Sequence, residues 1–141
     1  MISYSDPAKQ SMLSALRDYI DSADDGSGGT LPGKMCLYTA TRPLAGEAIT
    51  DQTLVSTLVL NNPCGTVSGT SLVLNTPIFD NNLANSGSIS WGRLFRGDDV
   101  WICDFDVGLP DDSNNPELKL SAIVVYQGGI IKINSAVFNI S

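Results

Sequence analysis

Hydrophobic and polar residues alternate with a period of two along most of this chain, and the spacing turns helical only near the N-terminus. The alternation is clearest over residues 87–108, GSISWGRLFRGDDVWICDFDVG. There Ile89, Trp91, Arg93 and Phe95 alternate with Ser88, Ser90, Gly92 and Leu94, and Gly97-Asp98-Asp99 supplies a turn. Beyond it Trp101, Cys103, Phe105 and Val107 alternate with Ile102, Asp104 and Asp106. A period of two on both sides of a turn predicts a β-hairpin. Trp and Phe carry the largest apolar area of any side chains, so this hairpin, which holds both tryptophans, is expected to form the centre of a β-sheet core.

Ahead of it, Asp6 as N-cap and Pro7 at the first helical position open a helix over about residues 7–23. Met12, Leu16, Tyr19 and Ala23 form its apolar stripe, with Leu13 and Ile20 beside it. Asp21, Asp24 and Asp25 carry the wrong sign for the C-terminal dipole, so docking onto the sheet must stabilise this helix. Residues 1–5 precede it as an arm, and Gly26-Ser27-Gly28-Gly29 follow as a linker. Strands are predicted over 34–40, 53–60, 67–68, 71–74 and 78–79, then in the hairpin. Two more, 117–126 and 130–140, flank Gln127-Gly128-Gly129 as a tight hairpin turn. About eight strands after one N-terminal helix, with turns at regular intervals, predict a mainly β chain. The expected form is an antiparallel, jelly-roll-like β-sandwich forming a single domain over residues 6–141.

Composition narrows the possible functions. At 141 residues the chain can bury roughly 68–70% of its unfolded surface. The hydrophobic content of 43% argues against a disordered chain. A formal charge of −7 repels phosphate backbones and no cluster of Lys and Arg offsets it, so no nucleic-acid partner is expected. Arg93 and Arg96, the closest basic pair on a strand, read as a solvated or interface face. The three cysteines, Cys36, Cys64 and Cys103, lack C-x-x-C spacing and are expected as reduced, buried thiols. The opening MISYSDPAKQ has no basic segment leading into an apolar run, and no stretch approaches the about 20 apolar residues of a membrane span. A soluble protein without a membrane partner or a cleaved leader is expected.

With no histidine in the chain, Ser-His-Asp, Cys-His and His-ligated metal arrangements are excluded. Asp104 and Asp106 share a strand face about 7 Å apart. That spacing suits a calcium site or a glycosidase carboxylate pair, but alternating Asp opposite Trp101, Cys103 and Phe105 also describes the solvated side of a half-exposed strand. Trp91 and Trp101 would suit an aromatic sugar platform, yet their alternation with Phe95 and Phe105 predicts core packing for at least one of them. No catalytic residue, metal or cofactor is expected.

Several segments in order resemble a family of small virion proteins of tailed bacteriophages, encoded near the major capsid protein gene. KMCLYTATRPLAGEA resembles that family's segment of strand, Leu-Tyr, x-Gly-Thr-Arg-Pro and x-x-Gly, through Leu37, Tyr38, Thr41, Arg42, Pro43 and Gly46; it departs at Ala40, where the family often has Gly. TLVSTLVLNNPCGTVSG is similar to the family's Leu-rich strand and proline, through Leu54, Leu58, Leu60 and Pro63. The hairpin resembles its Trp-x-Arg strand, acidic turn and Asp-Val-Gly ending, through Trp91, Arg93, Asp98, Asp106, Val107 and Gly108. The final two predicted strands correspond as well. The resemblance implies a non-enzymatic structural protein, a capsid decoration or cement protein on the outer surface of the mature head, made in the host cytoplasm. It implies the major capsid protein as partner and a homo-oligomer, dimer or trimer. Ile2 and Tyr4 of the arm and Arg42 and Pro43 of the family-like loop are the expected capsid or subunit contacts. A tail, neck or head-fibre component and a carbohydrate-binding module are the alternatives.

Overall fold

A computed structural model describes residues 1–140 and places one helix, α1 (Asp6–Ile20), ahead of thirteen strands among those residues. The helix starts slightly earlier than its sequence signals predict. Ser5 is extended at φ −67° and is the N-cap, its hydroxyl accepting from the Ala8 N–H at 3.3 Å. Asp6 therefore lies in the first turn, where its charge favours the positive end of the dipole. The helix stops at Ile20, short of Ala23, because the chain turns away: the Ser22 N–H bonds to the Tyr19 carbonyl at 3.2 Å. Leu13 and Ile20 are its fully buried residues and Leu16 packs beside them, whereas Met12 and Tyr19 of the predicted stripe are exposed.

The strands are β1 (Ala23–Asp24), β2 (Thr30–Leu31), β3 (Lys34–Thr39), β4 (Leu54–Val59), β5 (Gly65–Ser68), β6 (Ser71–Leu74), β7 (Ile78–Asp80), β8 (Gly87–Phe95), β9 (Trp101–Gly108), β10 (Leu118–Lys119), β11 (Val124–Val125), β12 (Ile131–Ile133) and β13 (Val137–Asn139). The fold is mainly β, with thirteen strands where about eight are expected. A central sheet runs β10-β9-β8-β3-β4, and β11 joins the first residues of β8. Smaller sheets pair β1 with β2, β7 with β12, and β6 with both β5 and β13. The described pairings are antiparallel except β10 on β9. The predicted hairpin forms as β8 and β9, closed by the Asp99 N–H on the Arg96 carbonyl at 3.0 Å.

The C-terminal hairpin does not form. Gly129 does close a turn onto the Tyr126 carbonyl at 2.9 Å, but the backbone then bonds outward, with the Leu83 N–H on the Gly129 carbonyl at 3.1 Å. The two predicted strands break into β10, β11, β12 and β13, which pair with β9, β8, β7 and β6 in turn. Each piece satisfies its backbone on an edge already present, so the two apolar runs never become partners. One large core then takes Leu13 and Ile20 from α1, Met35, Leu37 and Leu58 from the central sheet, and Ile131 and Ile133 from β12.

Candidate functional site

The opposite, outer face of the central sheet carries a second, smaller cluster: Cys36, Tyr38 and Trp91, with Ile49, Leu54 and Phe95 against it. Both tryptophans reach this face because the pairing slips. Tyr38 faces Trp91 while Thr39 faces Ile89, so Ser90 is an extra residue on β8. Leu94 faces Cys103 while Phe95 faces Trp101, so Ile102 is extra on β9. Each bulge reverses the facing of the residues beyond it. The predicted row of Ile89, Trp91, Arg93 and Phe95 is thus divided: Ile89 enters the large core, whereas Trp91 and Phe95 join the outer cluster. Phe105 and Val107 remain inside, and Phe105 lies so close over Gly92 that a Cβ there would come within 2.4 Å of its ring.

On the outer face, the Arg93 guanidinium grips the Asp104 carboxylate with two donors, Nε to Oδ1 at 2.7 Å and Nη2 to Oδ2 at 3.1 Å. The Trp101 indole N–H adds a bond to Oδ1 at 3.0 Å and the Gly46 N–H one to Oδ2 at 3.1 Å. Arg93 Nη2 also donates to the Glu47 carbonyl at 2.9 Å, and the guanidinium carbon lies 5.3 Å from the Trp91 ring centroid. Trp91 in turn stacks on Tyr38 at 4.6 Å and donates to the Thr39 carbonyl at 3.2 Å. This network ties the 40–53 segment down onto the sheet. Gly46 adopts φ +74°, which favours glycine, and a Cβ there would come within 3.1 Å of the Trp101 ring.

Burial works to raise the Asp104 carboxyl, but the Arg93, Gly46 and Trp101 donors outweigh it and hold it below the usual carboxylate range. Hydrogen bonding to Asp104 raises Arg93 in turn. The expectation of a solvated Asp104 and a solvated or interface Arg93 is therefore overturned: their side chains are 2% and 7% exposed. Asp106 does face solvent, where it pairs with Arg42 at 3.2 Å. Trp91 is buried in the outer cluster, and Trp101 is half exposed rather than part of the core.

The four expected contact residues do not come together. Ile2 and Tyr4 are exposed ahead of α1, whose buried side joins the large core, while Arg42 and half-buried Pro43 lie over the outer face. Asp104, Trp101 and Gly46, which organise that face, were not among the residues the sequence singled out as contacts. The signal for Asp104 lay in an Arg and an Asp cross-strand from one another in a predicted hairpin.

Burial pushes the thiols up, Cys64 to about 12 and Cys103 to about 11, so at neutral pH they are protonated and poor nucleophiles. Among the described residues, no three His, Cys, Asp or Glu side chains gather as a metal ion would require. No helix is long and apolar enough to cross a membrane among these residues. A cleft of about 660 Å³ opens between the 110–121 and 132–139 segments, with Glu117, Lys119 and Lys132 on its walls and no aromatic side chain in its lining. Its Glu117 carboxylate is occupied by the Asp106 N–H at 3.0 Å. The outer face is thus held by the Arg93–Asp104 pair at its centre and the Arg42–Asp106 pair at its rim. Comparison of the chain with protein families, with characterised proteins and with solved structures gives no match in any of the three.

Proposed function

We propose that this chain is a non-enzymatic structural protein of a tailed-phage virion, a capsid decoration or cement protein. It binds the outer surface of the mature head and holds neighbouring capsomers together. Its partner is the major capsid protein, and it acts as a dimer or trimer of jelly-roll-like sandwiches, assembled in the host cytoplasm. The observation that carries this reading is the backbone at Ala40, which adopts φ +66°. That left-handed conformation is the one glycine takes without strain, and it falls at the position where the resembled loop often keeps glycine. Ala40 leads directly into Arg42 and Pro43, and its carbonyl is held by the Ser90 hydroxyl at 2.6 Å. The loop is therefore presented in a set conformation, which lowers the ordering entropy of adhesion. Many identical weak contacts on a lattice then add through avidity.

Ile2 and Tyr4 contact a neighbouring molecule through the arm, and Arg42 and Pro43 contact the head through the loop. Co-sedimentation of the purified chain with expanded heads lacking it, and in parallel with isolated tails, tests the assignment. Saturable binding to heads at a fixed copy number per capsomer is expected. Deleting residues 1–5 is expected to leave the fold intact and lower head occupancy; unchanged occupancy would remove the arm from the interface. Retention by tails alone would favour a tail, neck or head-fibre component. Binding to neither, with a change in Trp101 emission on adding glycan, would favour a carbohydrate-binding module, a reading supported by the exposed indole of Trp101.

A further inference from the structure

Charge is distributed unevenly over this fold. Of the chain's 15 acidic and 8 basic side chains, only Asp80 and Lys132 lie within residues 52–92 and 120–141, and their charges cancel. The whole net charge of −7 therefore belongs to the remainder of the chain. The uncharged segments form one connected region. β7 pairs with β12, β6 with β13, and β11 with the first residues of β8. The Gly128 N–H on the Leu83 carbonyl at 2.8 Å fastens the 126–129 turn to the segment before β8.

Both charges in this region are engaged within the chain. Asp80 accepts from the Ser56 hydroxyl at 2.8 Å and from the Thr57 N–H at 3.2 Å. Lys132 Nζ sits 5.6 Å from the Phe79 ring centroid. The other exposed side chains here are uncharged, and the large apolar ones gather at one turn. The turn brings Tyr126 and Ile130 to one bend, 73% and 67% exposed, with Val124 at 58% just before it. On β7 and β12, Ile78, Ile131 and Ile133 point into the core, which leaves Phe79 outward and 45% exposed.

We infer that this neutral apolar surface, centred on Tyr126 and Ile130, is the docking surface for a second copy of the same chain. Two copies carry −7 each. Meeting through their acidic parts would bring like charges well inside the Debye length of about 10 Å at 0.1 M salt, where they repel. Apposing the uncharged region with itself about a two-fold axis buries apolar area while holding the acidic parts away from the contact. A basic partner would be drawn to the acidic part of the chain instead. A standard interface takes about 800 Å² from each partner, a small share of the 7696 Å² accessible surface of one chain. The inference deepens the homo-oligomer of the proposed function by naming its surface; its argument is charge and exposure, so loss of head binding alone would leave it standing.

Sedimentation of the purified full chain over a range of concentrations, at about 0.05 M and about 0.5 M NaCl, tests it without heads. A dimer is expected that tightens as salt rises, because screening removes repulsion between the acidic parts and no interfacial ion pair is lost. Combining Tyr126→Asp with Ile130→Asp is expected to weaken the dimer by more than about thirtyfold, the scale of losing one interface anchor. Leu44→Asp, at an exposed position outside the uncharged region, is expected to leave it unchanged. A chain that stays monomeric at every concentration would overturn the inference. So would a dimer that loosens with salt or that survives the double substitution with its fold intact.

Discussion

The two faces of the central sheet are built from the same strands and held by different physics. The inner face presents Met35, Leu37, Leu58, Leu94 and Phe105 to one continuous apolar core, where attraction is non-directional and grows with the area removed from water. The outer face depends on orientation: Asp104 takes four hydrogen bonds from Arg93, Trp101 and Gly46, and Trp91 stacks on Tyr38 with the Arg93 guanidinium also near its ring. Removing a methylene from the inner face leaves a cavity, while removing a partner from the outer face leaves a buried charge without compensation. The same strands serve both because the β3–β8 bulge sets Trp91 on the side opposite Ile89, and the β8–β9 bulge sets Trp101 on the side opposite Phe105.

The sharpest break in this contrast comes from Phe105→Ala. This side chain is fully buried over Gly92, and its loss is expected to destabilise the fold by about 4 kcal/mol in chemical denaturation. Next, Asp104→Ala strands the Arg93 charge and should cost about 3 kcal/mol; replacing both partners, Arg93→Met with Asp104→Leu, should recover most of that loss.

Acid sharpens the difference further. Because the folded Asp104 carboxyl lies below its unfolded value of about 3.9, its contribution is fully present above that pH and is lost as pH falls through the folded value. The stability gap between the wild type and Asp104→Ala should therefore narrow below about pH 3.9 in acid titrations followed by circular dichroism. The smallest effect belongs to the rim of the outer face. Arg42→Ala breaks an exposed pair with Asp106 and should change stability by less than about 0.5 kcal/mol, so a large change in head binding by this variant would report contact and not folding.

Elements whose signals are local were legible in the sequence. The helix follows from Asp6-Pro7 and the spacing of Leu13, Leu16 and Ile20, and the β8–β9 hairpin from its alternation around Gly97-Asp98-Asp99. The outer face was not, since a period of two carries no mark of the single extra residues at Ser90 and Ile102 that reverse which side Trp91 and Trp101 occupy. The burial of Asp104 likewise depends on Gly46, 58 residues away, coming down over it. In the last third, ELKLSAIVVY and IIKINSAVFNI have strand composition, yet which edge each short piece joins is decided by strands laid down much earlier in the chain.

The Asp80 carboxylate has a consequence for how this protein behaves when concentrated. β4 ends the central sheet, and a free strand edge rich in Leu and Val is a template on which fibrils grow by adding chains. Asp80 fills that edge at the Thr57 N–H, and the Ala84 N–H takes the Val55 carbonyl at 2.9 Å, so an incoming strand would first have to displace a charged group and a stretch of native backbone. The same segment that completes the fold thereby shields the edge of its main sheet against amyloid-like growth.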